Sequence, residues 1–144
     1  MVLEVKGMKF LLDRKYYIKD GSHIWLKKEG NLVKIGMDAF FARMTNPLTA
    51  LNVTSKQVKS GEEIGSFESS KFVSKIYSPL SGDIISVNDD ILNNPQKINE
   101  NPYDSWIFVM KPDKNVEEDK YIIEEKDKIL KWIKKEIKRF EAGN

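Results

Sequence analysis

Between Leu3 and Ile35 the apolar residues come in short runs broken by turn residues: Phe10-Leu11-Leu12, Tyr16-Tyr17-Ile18, Ile24-Trp25-Leu26 and Leu32-Val33-Lys34-Ile35. Asp20-Gly21 and Gly30-Asn31 lie between these runs and supply the positive φ that tight hairpins use, so the pattern predicts short antiparallel strands. Asp38 is placed to cap a short helix over Ala39 to Met44, which Asn46-Pro47 would stop. From Val53 to Val87 turn signals recur at Ser60-Gly61, from Ser69 to Lys71 and at Ser81-Gly82-Asp83, marking a β core. Asn88 to Asn94 reads as one helical turn ended by Pro95, and Trp106 to Met110 as a buried strand stopped by Pro112.

The pattern then changes. From about Tyr121 onward, Ile122, Ile129, Ile133, Ile137 and Phe140 stand three, four or seven positions apart among Lys and Glu, the signature of a single amphipathic helix with Gly143 just past its end. Such a stripe packs on the β domain or on a second subunit; acids interleaved with the bases argue against a membrane surface. The predicted organisation is an N-terminal extension over 1–14, a β domain over 15–112, and a linker with a C-terminal helix over 113–144.

Charge adds little to this picture. Lys and Arg total 24 against 22 Asp and Glu, a formal +2, which provides no field for nucleic acid. The chain has no cysteine, so disulfides, thiolate metal sites and a Cys nucleophile are excluded, and any dithiol must come with a cofactor. No basic-apolar leader and no long apolar span is present, which predicts a cytoplasmic protein with no membrane partner. His23 is the sole histidine, so a His-based metal cluster or a Ser-His-Asp triad would lack partners. It reads as a satisfied residue at a strand end or as a packing partner of a bound group.

One lysine stands out by its place. Lys71 sits in a short polar turn, Glu68-Ser69-Ser70-Lys71-Phe72, between two strand-like stretches, exposed on a rigid scaffold where a modifying enzyme could reach it. Taken alone it is a solvated turn lysine. The surrounding residues change that reading. Glu68-Ser69-Ser70-Lys71 followed by Tyr77-Ser78-Pro79-Leu80-Ser81-Gly82 resembles the lipoyl-lysine segment of glycine cleavage H proteins. Tyr17 to Asp20, His23, Trp25, Glu29-Gly30 and Ile35-Gly36 upstream, and Asn88, Asn94-Pro95, Ile98-Asn99, Pro102-Tyr103 and Trp106 downstream, extend the resemblance over roughly residues 15 to 112. Biotin acceptors flank their lysine with methionines, whereas the neighbours here are Ser70 and Phe72.

The resemblance implies a lipoyl-type barrel-sandwich hybrid, mainly β with peripheral helices, and a non-catalytic swinging-arm carrier with lipoic acid on Lys71. Glu68, Ser69, Ser70 and Phe72 would shape the attachment turn, with His23, Ile24 and Lys75 near the arm. Partners would be a lipoate ligase, or lipoyl synthase and transferase, together with the glycine cleavage P, T and L proteins.

Two departures bear on the cargo. Ile24 and Lys75 occupy the positions at which the family places a Glu and an Asp near the aminomethyl-loaded arm. An ammonium beside the arm suits an anion better than an amine. That exchange leads to the expectation of a sulfur cargo handled with a heterodisulfide-reductase-like complex, as in H-like lipoate-binding proteins, with a genuine glycine cleavage H protein as the alternative. An unmodified adaptor barrel is the third reading.

Overall fold

The structure is a computed structural model that describes residues 1–54, 56–114 and 119–143. Twelve strands are found among them: β1 (Val2–Val5), β2 (Met8–Leu11), β3 (Lys15–Tyr17), β4 (Ile24–Glu29), β5 (Leu32–Met37), β6 (Leu48–Val53), β7 (Gln57–Val58), β8 (Glu63–Ser69), β9 (Val73–Tyr77), β10 (Gly82–Val87), β11 (Phe108–Pro112) and β12 (Ile122–Ile123). Four helices accompany them: α1 (Ala39–Met44), α2 (Asp89–Asn93), α3 (Gln96–Glu100) and α4 (Lys126–Ala142). A curled seven-stranded sheet, in the order β12-β3-β4-β5-β11-β10-β7, faces a three-stranded sheet, β6-β8-β9, in which β9 is an edge. The fold is thus mainly β with peripheral helices, as expected.

Alternation of apolar and polar positions explains the layering. Leu26, Val33, Ile35, Phe108 and Met110 of the large sheet, Leu51, Phe67 and Ile76 of the small one, and Phe41 of α1 fill a shared core. A second core lies on the other side of β3 and β4, where the β1-β2 hairpin and α4 bury Phe10, Tyr16, Trp25, Phe40, Trp132 and Ile133 together. Gly36 pairs with Trp25 across β4 and β5, and its missing side chain makes room for the indole, which any Cβ there would overlap.

Several elements differ from the sequence-based expectation. The C-terminal helix begins at Lys126 rather than near Tyr121, because the adjacent β-branched pair Ile122-Ile123 instead forms a strand against Tyr16 and Tyr17. Its buried stripe is Ile129, Trp132, Ile133, Glu136 and Ile137, while Phe140 is 41% exposed. Pro95 ends α2 and also opens α3, since its fixed φ of −63° already suits a helix start. The expected strand at Trp106 starts two residues later, at Phe108. Residues 115–118 of the expected linker lie outside the described residues.

Candidate functional site

Antiparallel β8 and β9 carry Lys71 at their tip, with Glu68 paired to Val73 and Phe67 to Ser74. The turn is held by Ser69. Its backbone N–H donates to the Phe72 carbonyl at 2.9 Å. Its hydroxyl accepts the backbone N–H of Lys71 at 3.2 Å and of Phe72 at 3.3 Å. Among the described residues only Lys6 and Asp20 are non-glycine residues with positive φ, so this tip needs no left-handed backbone and a serine hydroxyl does the closing. Lys71 is exposed, and its ammonium makes no hydrogen bond or ion pair among the described residues. Glu68 and Ser70 are likewise exposed beside it.

A groove of about 270 Å³ runs between the free edge of β9 and the segment from Asp20 to Ile24. Met37, Phe41, Phe67 and Ile76, all buried, form its apolar floor. Phe72, next to Lys71, lines its near end and meets Phe67 edge-on at 5.8 Å. The structure therefore brings Phe72, Lys75, His23 and Ile24 together on one groove, with Glu68, Ser69, Ser70 and Lys71 on the hairpin tip that adjoins it. Asp20 and the aromatic floor are groove residues that the sequence reading did not assign to the site; Asp20 registered there as a turn signal and as the end of the Tyr17 to Asp20 stretch of the family resemblance.

The fit to a lipoyl group rests on this geometry. An exposed, unpaired amine suits amide formation, and an apolar trough beside it suits an alkyl chain. Ile24 is 2% exposed and belongs to the main core, while Lys75 stands at the surface with Nζ 3.2 Å from the Glu63 carboxylate.

His23 forms the back of the groove wall and is fully engaged. Its ring stacks between Phe40, at 4.3 Å, and Trp132, at 4.9 Å. Nδ1 lies 3.1 Å from Asp38 and Nε2 lies 2.9 Å from Glu136. Asp38 also accepts the Phe41 N–H at 2.9 Å, so the expected helix cap serves the histidine as well. Arg139 Nη2 in turn donates to Glu136 at 2.9 Å. Burial by itself would push the His23 imidazole below its usual range, but the Asp38 and Glu136 carboxylates outweigh it and raise the pKa to about 9. Burial would likewise raise Glu136, yet hydrogen bonds from His23 and Arg139 lower it to about 2. The two carboxylates flank opposite ring nitrogens, and among the described residues no cluster could hold a metal ion. Glu136 was legible as an anomaly, the one acid on the buried face of α4 in a chain with one histidine.

Among the described residues no helix is long and apolar enough to cross a membrane. The glycine cleavage H-protein family profile matches residues 15–136. The chain is 34% identical over 122 residues to a probable glycine cleavage system H protein of Pyrococcus horikoshii, covering 83% of this chain and 89% of that protein. It is 35% identical over 135 residues to glycine cleavage system H protein 5 of Aquifex aeolicus, covering 90% of each. The crystal structure of a glycine cleavage system H protein from Mycobacterium marinum superposes with a TM-score of 0.64 at 26% identity, over 72% of this chain and 87% of that one. A profile spanning most of the sequence, relatives aligned along most of their length and a shared barrel-sandwich place the chain in the glycine cleavage H-protein family, whose members are non-catalytic carriers with lipoate bound covalently to a lysine.

Proposed function

We propose that Lys71 is the lipoyl attachment site and that the chain is the cytoplasmic H component of glycine cleavage, passing an aminomethyl group from the P to the T protein, with the L protein restoring the arm. A lipoate ligase, or lipoyl synthase and transferase, would install the group. The observation that carries this reading is the unpaired Lys71 ammonium on a serine-closed hairpin tip beside an apolar groove. When bound, the cofactor supplies a dithiolane that opens to thiols and accepts the cargo. The chain's own residues do the rest. Ser69 fixes the turn, Phe72 starts the groove and the floor shelters an alkyl chain from water. Attachment to Lys71 also keeps the reactive end at high local concentration near any docked partner.

A second reading, a sulfur species exchanged with a heterodisulfide-reductase-like complex, is favoured by Ile24 and Lys75, which put an apolar side chain and an ammonium on the groove. The Glu63 carboxylate at 3.2 Å answers much of that Lys75 charge, which weakens the preference for an anion.

The test is the intact mass of the protein purified from its own cells under non-reducing conditions, with peptide mapping of Lys71. A lipoyl or aminomethyl-lipoyl adduct on Lys71 is the expected result. Extra sulfur on the adduct would move the assignment to the second reading. A bare Lys71 in cells that lipoylate other proteins would overturn both and leave the unmodified adaptor.

A further inference from the structure

We infer that the outer face of α4 is a docking surface, and that Lys131, Lys134, Lys135 and Lys138 on it receive an acidic patch of an enzyme served by the arm. The inference rests on the carrier reading for the kind of partner and adds the surface that holds it.

Seven bases and three acids give α4 a charge of +4, so the rest of a chain whose total is +2 carries −2. The excess of positive charge therefore lies on one helix. Lys131, Lys134, Lys135 and Lys138 are all exposed and interleave with the buried Trp132, Ile133, Glu136 and Ile137. Their spacing of three, four and seven sets them in one stripe along the outside of the helix. None of the four makes a hydrogen bond or an ion pair among the described residues.

The acids nearby do not answer this charge. Glu136 is held by His23 and Arg139, Glu141 lies 3.5 Å from Lys6, and Glu125 at the helix start lies 3.5 Å from Lys128. Asp127 stands one turn before Lys131 without pairing to it, and Glu4 is the acid on β1, the strand that α4 packs against. Like charges three or four positions apart weaken a helix, and the stripe holds four such pairs. The lysines thus oppose the helix that carries them until an anionic surface covers them.

Three observations choose a protein as the partner. The apolar face of α4 is already buried in the second core, with Ile129 and Ile133 fully covered, so it has no apolar side left to enter a lipid surface. The stripe offers no ring for a base to stack on, since Trp132 is buried and Phe140 packs edge-on to Phe40. The stripe also ends beside the arm: Arg139, next to Lys138, lies against Gly21, which lines the groove adjoining the Lys71 hairpin. Lys19 and Asp20, of opposite sign, precede Gly21, so the rim neither extends nor cancels the field of the stripe. A protein with an acidic patch seated on the stripe therefore borders the groove, as an enzyme that receives the arm must.

The experiment immobilises the glycine decarboxylase, aminomethyltransferase and dihydrolipoyl dehydrogenase of the same cells, one at a time. Binding of the full chain is measured at about 20 mM and about 200 mM salt, which differ about threefold in screening length. At least one enzyme is expected to bind, more weakly at high salt. Changing all four stripe lysines to glutamine is expected to weaken that binding about tenfold at low salt and to flatten its salt dependence. Changing Lys28, Lys56, Lys59 and Lys111, which are exposed on other elements, removes the same charge and is expected to keep binding within about twofold. Glutamine keeps the helix propensity of lysine, so the thermal midpoint of the stripe variant should hold or rise. The inference is overturned by no binding to any enzyme, by equal weakening from the two sets, or by an unweakened stripe variant. Tighter binding of the wild-type chain to phosphatidylglycerol vesicles or duplex DNA than to the enzymes, or a lowered midpoint in the stripe variant, would overturn it too. Failure of the Lys71 assignment is read separately, from the peptide mass, because docking on the stripe does not need the lipoyl group. Where that mass shows extra sulfur, the heterodisulfide-reductase-like complex is the immobilised enzyme.

Discussion

The imidazole of His23 and the carboxylate of Glu136 meet at 2.9 Å across 113 positions of the chain, joining the wall of the groove to the C-terminal helix. With Asp38 on the other ring nitrogen and Arg139 on the far side of Glu136, the contact forms a closed set of charges in which each has an opposite partner. Aromatic rings above and below exclude water from the imidazole. Breaking such a buried pair from one side leaves a charge uncompensated, which is far worse than replacing both sides by apolar groups.

His23→Ala is therefore expected to destabilise the chain by about 3 kcal/mol. The loss is kept to the low side because Asp38 retains the Phe41 N–H and Glu136 retains Arg139. The double variant His23→Phe with Glu136→Leu should recover only part of that stability, because Asp38 stays buried without the imidazole. Urea unfolding of the two single variants and the double variant checks this, and losses that simply add would contradict it.

Stability should also depend on pH through the same groups. His23 has its folded pKa raised to about 9 from an ordinary 6.5, so its contribution is complete below about 6.5 and is lost as pH rises through about 9. Glu136 has its folded pKa lowered to about 2 from 4.5, so its contribution is complete above about 4.5 and is lost as pH falls towards 2. A stability maximum from this cluster is expected between about pH 4.5 and 6.5. Urea midpoints measured from pH 4 to 9 on the wild type and on the His23→Phe, Glu136→Leu chain would show it: the alkaline decline should flatten in the double variant.

Gly36→Ala is expected to cost about 1 to 3 kcal/mol, because the new methyl overlaps the Trp25 indole, which is 1% exposed and has no free space to retreat into. The indole N–H would also lose its 3.1 Å bond to the Pro102 carbonyl. A lowered urea midpoint with altered tryptophan emission is the expected signature; an unchanged midpoint would mean the indole has another place to go.

Lys75→Asp removes an exposed pair with Glu63 and leaves two acids near each other on neighbouring strands, a change expected to alter stability by less than about 1 kcal/mol. In the lipoylated chain it should raise aminomethyl loading by a glycine decarboxylase, since a cation at the groove rim is exchanged for an anion. Combining it with Ile24→Glu adds a second carboxylate but buries it at a position 2% exposed, so part of the gain is expected to be offset by lost stability. Loading rates alongside thermal midpoints separate the two effects. No gain in loading from either variant would mean that Ile24 and Lys75 do not disfavour an amine, which counts against the sulfur reading.

Local signals carried much of this protein. Short apolar runs and Asp-Gly or Gly-Asn turns were enough for the strands between Lys15 and Met37, because a run of buried residues and a positive-φ turn leave their mark within a few residues. The Asp38 cap and the polar turn from Glu68 to Lys71 were legible for the same reason, being short-range hydrogen-bonding patterns. The start of α4 was misplaced because Ile122 stands seven residues before Ile129, a spacing a helix and a chance alignment share; only the presence of Tyr16 and Tyr17 across the sheet decided for a strand. What the sequence alone could not contain is which distant side chains meet. It showed one histidine, but not that Asp38 and Glu136 hold both its nitrogens, and it showed an Asp-Gly turn, but not that Asp20 faces β9 across a groove. Backbone preference and hydrophobic periodicity act over a handful of residues, whereas a groove and a buried charge network exist only once packing has brought segments far apart in the chain within hydrogen-bonding distance.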